Sequence, residues 1–233
     1  MLLKIVIPTL NRLEKLKNCI NSIIKAKRNF NVELIICFSN LYEIKIIKSL
    51  FKQFNWIKYK LIKNYKVPEF WNSFCKELKK DECLMYLNDD VVLKDDTIKY
   101  AFELYPKFFP NFDGVVGIRQ ENIPNNQALP TAFGIIGYKF TENFPNKEVM
   151  CPEYYRFYAD RELYLYTTKT NKFKFSNLIS LIHYHPAFYR HLADDTHKKV
   201  RLYWNRDHQT YLKRQELGYI WGINFFKLKK ENK

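Results

Sequence analysis

Along the first ninety residues the apolar positions switch repeatedly between two periods. "LKIVIPTLN" (3–11) begins as a continuous run rich in β-branched residues, the pattern of a strand buried on both faces of a parallel sheet. After a turn at Pro8 to Asn11, the residues Leu13, Leu16, Cys19 or Ile20, and Ile23 or Ile24 recur at helical spacing. They predict an amphipathic helix of about three turns. "VELIICF" (32–38) reads as a second buried strand, "EIKIIKSLFKQF" (43–54) as a second helix and "IKYKLIK" (57–63) as an alternating strand. This βαβαβ order predicts a doubly wound α/β sheet. A helix over "PEFWNSFCKEL" (68–78) and a strand over "CLMYL" (83–87) continue the alternation.

The second half is less regular. "DDTIKYAFELY" predicts a helix capped by Asp95 or Asp96, while "GVVGI" (114–118) and "AFGIIGYKF" (132–140) predict strands. From Thr196 to Leu217 the pattern is helical again, with Val200, Trp204, His208 and Tyr211 on one face. No low-complexity linker or internal repeat interrupts the chain, so one domain with a C-terminal extension is expected.

Composition changes this picture little. With 233 residues, 47% of them hydrophobic and 17% aromatic, the chain can bury a full core. A net charge of +15 favours phosphates, nucleic acid or anionic headgroups as partners, without specifying an activity. The five cysteines are widely spaced with no Cys-x-x-Cys pair, which fits a reducing cytosol and excludes a cysteine-clipped zinc. "MLLKIVIP" is too short, and too soon interrupted by Lys4 and Pro8, for a signal peptide, so a cytoplasmic protein is expected.

The candidate chemistry lies where "CLMYL" ends in Asn88, Asp89 and Asp90. In an open parallel sheet, ligands sit at the carboxyl ends of strands. An acidic pair there suits Mg²⁺ or Mn²⁺, which take one or two carboxylates together with substrate phosphates. The alternative is a surface turn, since Asn and Asp favour turns after strands.

Five segments carry a resemblance that decides between these. "IVIPTLNR" (5–12), "VPEFWNSF" (67–74), "YLNDDVVL" (86–93), "YADRELYLY" (158–166) and "LIHYHP" (181–186) stand in the order and spacing of the GT-A-fold, family 2-like glycosyltransferases. The chain resembles that family over roughly residues 4 to 190. The resemblance implies a GT-A (Rossmann-like) fold, an α/β, mostly parallel sheet flanked by helices. It also implies a catalytic domain over 1–190, with a nucleotide-sugar-binding half to about residue 93 and an acceptor half from about 94. A helical, aromatic and basic extension follows over 191–233.

By the same resemblance, the implied reaction is metal-assisted, inverting transfer of a sugar from a nucleoside-diphosphate sugar, most simply a UDP-sugar, to an acceptor hydroxyl. Pro8, Thr9 and Arg12 would sit near the base and diphosphate, with helix capping the alternative for Thr9 and Asn11 and a solvated charge for Arg12. Asn72 would face the nucleotide, or occupy a surface position beside Trp71. Asp90 would coordinate Mn²⁺ or Mg²⁺, Asp89 would meet the ribose or a metal-bound water, and Asn88 replaces an acid found in many relatives. Asp160 matches the general base, with helix capping as its alternative and Glu162 as the fallback. His183 or His185, facing one side of a strand, would complete the metal site, His183 being favoured. Where the family carries an aspartate after its second strand to read the base, this chain has Ser39 and Asn40, and Asn40 is the candidate reader.

Other readings remain at this stage. A nucleotidyltransferase would also use acids at strand ends, but "PTLNR" lacks the usual Gly-rich phosphate loop. The basic charge admits a modified nucleic acid as acceptor, beside a saccharide or a lipid-linked glycan. Tyr219, Ile220, Trp221, Ile223, Phe225 and Phe226, followed by Lys227, Lys229 and Lys230, could lie on the inner face of a membrane or pack against the catalytic domain.

Overall fold

A computed structural model describes residues 1–62, 66–124, 126–185, 189 and 201–223. Strands β1 (Leu2–Thr9), β2 (Val32–Phe38), β3 (Ile57–Leu61) and β4 (Glu82–Tyr86) alternate with helices α1 (Leu13–Lys27), α2 (Leu41–Leu50) and α3 (Val67–Lys76). After β5 (Val91–Leu93) and α4 (Thr97–Phe108) come β6 (Val115–Gln120) and β7 (Gly134–Gly137). A short α5 (Tyr138–Thr141), α6 (Ala159–Lys169), β8 (Phe173–His183) and α7 (Trp204–Glu216) complete the described elements. The strands form one eight-stranded sheet in the order β3-β2-β1-β4-β7-β6-β8-β5. Neighbours from β3 to β4 are parallel, as are β6 and β8, whereas β7 and β5 run antiparallel to theirs. This is the expected α/β, mostly parallel architecture.

The continuous apolar run of β1 follows from its central position. Ile5 and Ile7 face a core built with Leu16, Ile20 and Ile23 of α1. Val6, on the opposite face, meets the second core of Phe70, Trp71 and Phe74 from α3. Each such buried side chain contributes about 1.5–3 kcal/mol, so both faces anchor the edge that carries the site.

Several expected boundaries are corrected. Helix α2 starts at Leu41 rather than residue 43, because the Asn40 side chain accepts from Glu43 N (2.9 Å) and donates to Glu43 Oε2 (2.8 Å), a reciprocal cap. The strand expected over 132–140 stops at Gly137: Phe140 turns inward, its N–H donating to Phe112 O (3.0 Å). Asp96 occupies the N-cap of α4 but makes no capping bond; it pairs with Arg28 (2.7 Å), as Asp95 does with Lys25 (2.7 Å). The three-residue β5 is an element that apolar periodicity had not separated from the turn before it. In the C-terminal helix, Val200 lies outside the described residues. Of the expected face, Tyr211 packs against the second core while Trp204 is 43% exposed, and the fully buried side chains of the helix are the polar Asp207 and Arg214.

Candidate functional site

The carboxyl edge of β1 and β4 assembles the site. Leu87 N donates to Val6 O (3.1 Å), which continues the β1–β4 pairing and brings Asn88 to Asp90 beside the loop after β1. Asp89 and Asp90 do form a turn, yet they are only 3% and 4% exposed. A solvated surface turn is therefore excluded. Asp89 Oδ2 accepts from Thr9 Oγ1 (2.8 Å) and Oδ1 from Arg12 Nη1 (2.9 Å); the same Nη1 lies 3.5 Å from Asp90 Oδ2. Arg12 is thus a buried counter-ion rather than a solvated charge, and Thr9 is engaged by Asp89 rather than by a helix end. Burial pushes the Asp89 carboxyl above its ordinary range, with the Arg12 guanidinium opposing and Asp90 adding to the rise. Pro8 precedes Thr9, the last residue of β1, and partly buried Asn88 accepts through its backbone oxygen from the Cys19 thiol (3.7 Å).

Register supplies the histidine. Val91 of β5 pairs with His183 of β8, and Tyr184 N donates to Asp90 O (2.9 Å). His183 Nε2 consequently lies 3.5 Å from Asp90 Oδ1. Its Nδ1 is 2.7 Å from Gln120 Oε1 of β6. An amide oxygen only accepts, so Nδ1 carries the proton and Nε2 presents a lone pair. Among the described residues Nε2 has no hydrogen-bond partner. A proton on Nε2 or a cation between the two groups would satisfy this imidazole and carboxylate, so Asp90 and His183 are residues that could hold a divalent metal ion. Among the described residues no group of three or more His, Cys, Asp or Glu able to hold a metal ion occurs. The His185 ring is centred 5.0 Å from that of His183.

Asp160 occupies the first turn of α6, after Tyr158 in the left-handed region (φ 70°). That conformation costs a non-glycine residue about 1–3 kcal/mol and persists only where surroundings enforce it. Tyr158, not Asp160, is the N-cap; the Asp160 carboxylate accepts from the adjacent Arg161 N (2.9 Å). Thr131 ties this turn to the sheet, donating to Asp160 O (2.7 Å) while its own carbonyl accepts from Tyr86 Oη (2.8 Å) at the end of β4. Desolvation raises the Asp160 pKa, with the Arg161 amide, its own backbone N–H and the Arg161 charge opposing. A carboxylate so raised is a better proton acceptor.

Other expected residues have partners of their own. Asn72 is buried, not superficial, and both ends of its amide hold Met150: Nδ2 donates to Met150 O (2.7 Å) and Oδ1 accepts from Met150 N (2.8 Å). Glu162 is fully engaged by Arg214 (2.5 Å to Nη2) and Trp221 N (2.6 Å), which removes it as a fallback base. Trp221 itself is buried in the second core, its indole donating to Glu148 O (2.5 Å), so this part of the tail packs on the α/β sheet domain. Phe225, Phe226 and the lysines after them lie outside the described residues.

A groove of about 460 Å³ opens between the loop after β1 and the start of α2, lined by Asn11, Arg12, Asn40 and Glu43 among others. Asn40 is there as expected, although its side chain is turned to Glu43. Glu43, 3% exposed, was not anticipated. Burial raises its pKa against the Asn40 amide and the backbone of Asn11 and Arg12. Its one sequence signal is the spacing of three from Asn40, which marks a helix start rather than a site.

The family model for glycosyl transferase family 2 matches residues 4–198. No curated protein sequence matches the chain. Among solved structures, S. aureus TarS superposes with a TM-score of 0.57 at 15% identity, covering 82% of this chain and 38% of that one. TarS 1–349 in complex with UDP gives 0.54 at 15% identity, covering 76% and 58%. The mannosyltransferase PcManGT from Pyrobaculum calidifontis, in complex with GDP-Man and Mn²⁺, gives 0.59 at 10%, covering 78% and 56%. At these identities the likeness is one of fold, and this chain spans less than two thirds of each of those chains.

Proposed function

Because the chain belongs to glycosyl transferase family 2, we propose that it transfers a sugar, with inversion, from a nucleoside-diphosphate sugar to an acceptor hydroxyl. The observation that carries this reading is the approach of His183 Nε2 to Asp90 (3.5 Å) at the carboxyl edge of the sheet. Asp90 and His183 would hold Mn²⁺ or Mg²⁺, whose contribution is to offset negative charge on the departing diphosphate. Arg12, already beside both acids, adds positive charge there. Asp89 holds Thr9 and Arg12 in place and borders the ribose, with Pro8 and Asn88 lining the same edge.

The groove beside Asn40 and Glu43 suits the nucleobase, and UDP and GDP-Man in the two neighbours support both uracil and guanine as candidates. Asn72 serves the donor site indirectly, by anchoring Met150. Asp160 accepts the proton of the acceptor hydroxyl as its oxygen bonds to the anomeric carbon and the bond from that carbon to the diphosphate breaks. The donor half runs to about residue 93 and the acceptor half from about 94 to 190.

A saccharide, a lipid-linked glycan or a modified nucleic acid would serve as acceptor, and the +15 charge suits the last two. The reaction is placed in the cytoplasm or at the inner face of the membrane, a reading favoured by the five cysteines, all of them free.

The test is a screen of UDP- and GDP-sugars with and without Mn²⁺, read by thermal stabilisation and release of nucleoside diphosphate. A donor that stabilises only with metal and releases diphosphate is expected. Pyrophosphate release from a nucleoside triphosphate would overturn the assignment in favour of nucleotidyl transfer.

A further inference from the structure

Helix α7 holds the segment that carries Asp160 from both sides. The buried carboxylate of Asp207 accepts from three consecutive backbone N–H groups, Tyr155 N (2.9 Å), Arg156 N (2.7 Å) and Phe157 N (2.8 Å). Three amides can converge on one carboxylate only if the backbone curls around it, and the curl ends at the left-handed Tyr158, two residues before Asp160. Tyr158 is held in turn by its hydroxyl against His208 Nδ1 (2.8 Å) and by stacking on Tyr211 (centroids 4.8 Å apart). Beyond Asp160, Arg214 grips Glu162 through Nε (3.0 Å) and Nη2 (2.5 Å). Residues 207, 211 and 214 are spaced by four and three, so one face of α7 addresses residues 155–162.

None of these groups is used by the proposed reaction. Charge-assisted bonds to backbone amides and a buried bidentate pair are strong and directional, which is what fixing a backbone requires. An apolar helix face would have given adhesion without direction. Resting on the assignment of Asp160 as base, we propose that Asp207 is a positioning residue, which sets the 155–158 backbone and so aims the first turn of α6 at the acceptor hydroxyl.

The test is Asp207→Asn in the full chain, beside Asp160→Asn. An asparagine keeps the shape but offers one oxygen, and turns an NH₂ toward amides that are themselves donors. UDP-glucose, UDP-N-acetylglucosamine and GDP-mannose, each with Mn²⁺, serve as probes for diphosphate release, with water as acceptor where no other is supplied. A misplaced base lowers turnover by up to about 10²-fold. The expected result is that loss in kcat with the donor KM within about twofold of wild type, and faster amide hydrogen exchange confined to 155–162.

Wild-type kcat, or unchanged exchange over 155–162, would overturn the proposal whichever probe is turned over. Equal loss in kcat and donor affinity would also overturn it, by making Asp207 a general stability residue. If Asp207→Asn does not fold, Arg214→Lys, which keeps the charge but not the fork, is read by the same criteria at the far end of the clamp. Asp160→Asn separates the two ideas. If that variant retains turnover, the base assignment falls and the positioning role falls with it; if it is inactive while Asp207→Asn is wild-type, the positioning role fails alone.

Discussion

The tautomer of His183 gives the sharpest handle on the proposed metal. Gln120 is 5% exposed, and its Oε1 lies 2.7 Å from His183 Nδ1, so it keeps the proton on that nitrogen. Replacing it by leucine keeps the volume and removes the acceptor. The imidazole then gains by moving its proton to Nε2, where Asp90 Oδ1 at 3.5 Å can draw closer and accept it. The variant loses one buried hydrogen bond, worth about 0.5–1.5 kcal/mol, and regains part of it in the new contact. Its metal-free Tm should therefore fall only slightly.

Metal binding should suffer far more, because the lone pair is now capped and the carboxylate occupied. Loss of such an outer partner weakens metal binding by about 10–100-fold. That corresponds to about 1.4–2.7 kcal/mol. The assay is the rise in Tm with Mn²⁺ at saturating UDP or GDP, fitted for apparent Mn²⁺ affinity. Gln120→Glu, which still accepts from Nδ1, should bind Mn²⁺ at least as tightly as wild type. If Gln120→Leu shows wild-type Mn²⁺ dependence, the tautomer does not govern the site and His183 is not a ligand.

Asp160→Asn should lower turnover by about 10²–10⁴-fold while donor stabilisation persists; equal loss of both would make Asp160 structural. Because desolvation raises Asp160, and the base must be ionised, kcat should climb with pH through a midpoint above the ordinary aspartate range, a limb absent from Asp160→Asn. Arg12→Met leaves Asp89 buried without its cation and should cost about 3–5 kcal/mol in urea unfolding at neutral pH. A raised folded pKa means Asp89 contributes most below its unfolded pKa and loses that contribution as pH rises through the folded one, so acidification should shrink the difference from wild type. A constant difference would refute that. Asn72→Leu should cost about 1–3 kcal/mol for each Met150 group it leaves unpaired, with donor affinity preserved; a selective loss of donor binding would restore a direct nucleotide role.

Much of this protein was legible from periodicity and motif order. The β-branched run of β1, buried on both faces, and the helical spacing of α1 are local patterns with a single solution each, and they placed Asp89 and Asp90 on the carboxyl edge. What the pattern could not contain is pairing between distant segments. Whether the Asp-Asp turn is surface or site depends on Thr9 and Arg12, some eighty residues earlier, and on a β5–β8 register that sets Val91 against His183. Asn72 was singled out by its match to a family asparagine and Glu162 by its place beside Asp160; their hydrogen bonds go to Met150, Arg214 and Trp221, which no local rule connects to them. Glu43 and Asp207 show the converse, since a helix-start acid carries no sign of the groove or the backbone amides that folding brings to it. The elements and the edge they present were readable locally, because those follow from which faces must be buried. The tertiary structure alone decided which polar groups meet there, because burial compels them to find partners without naming which.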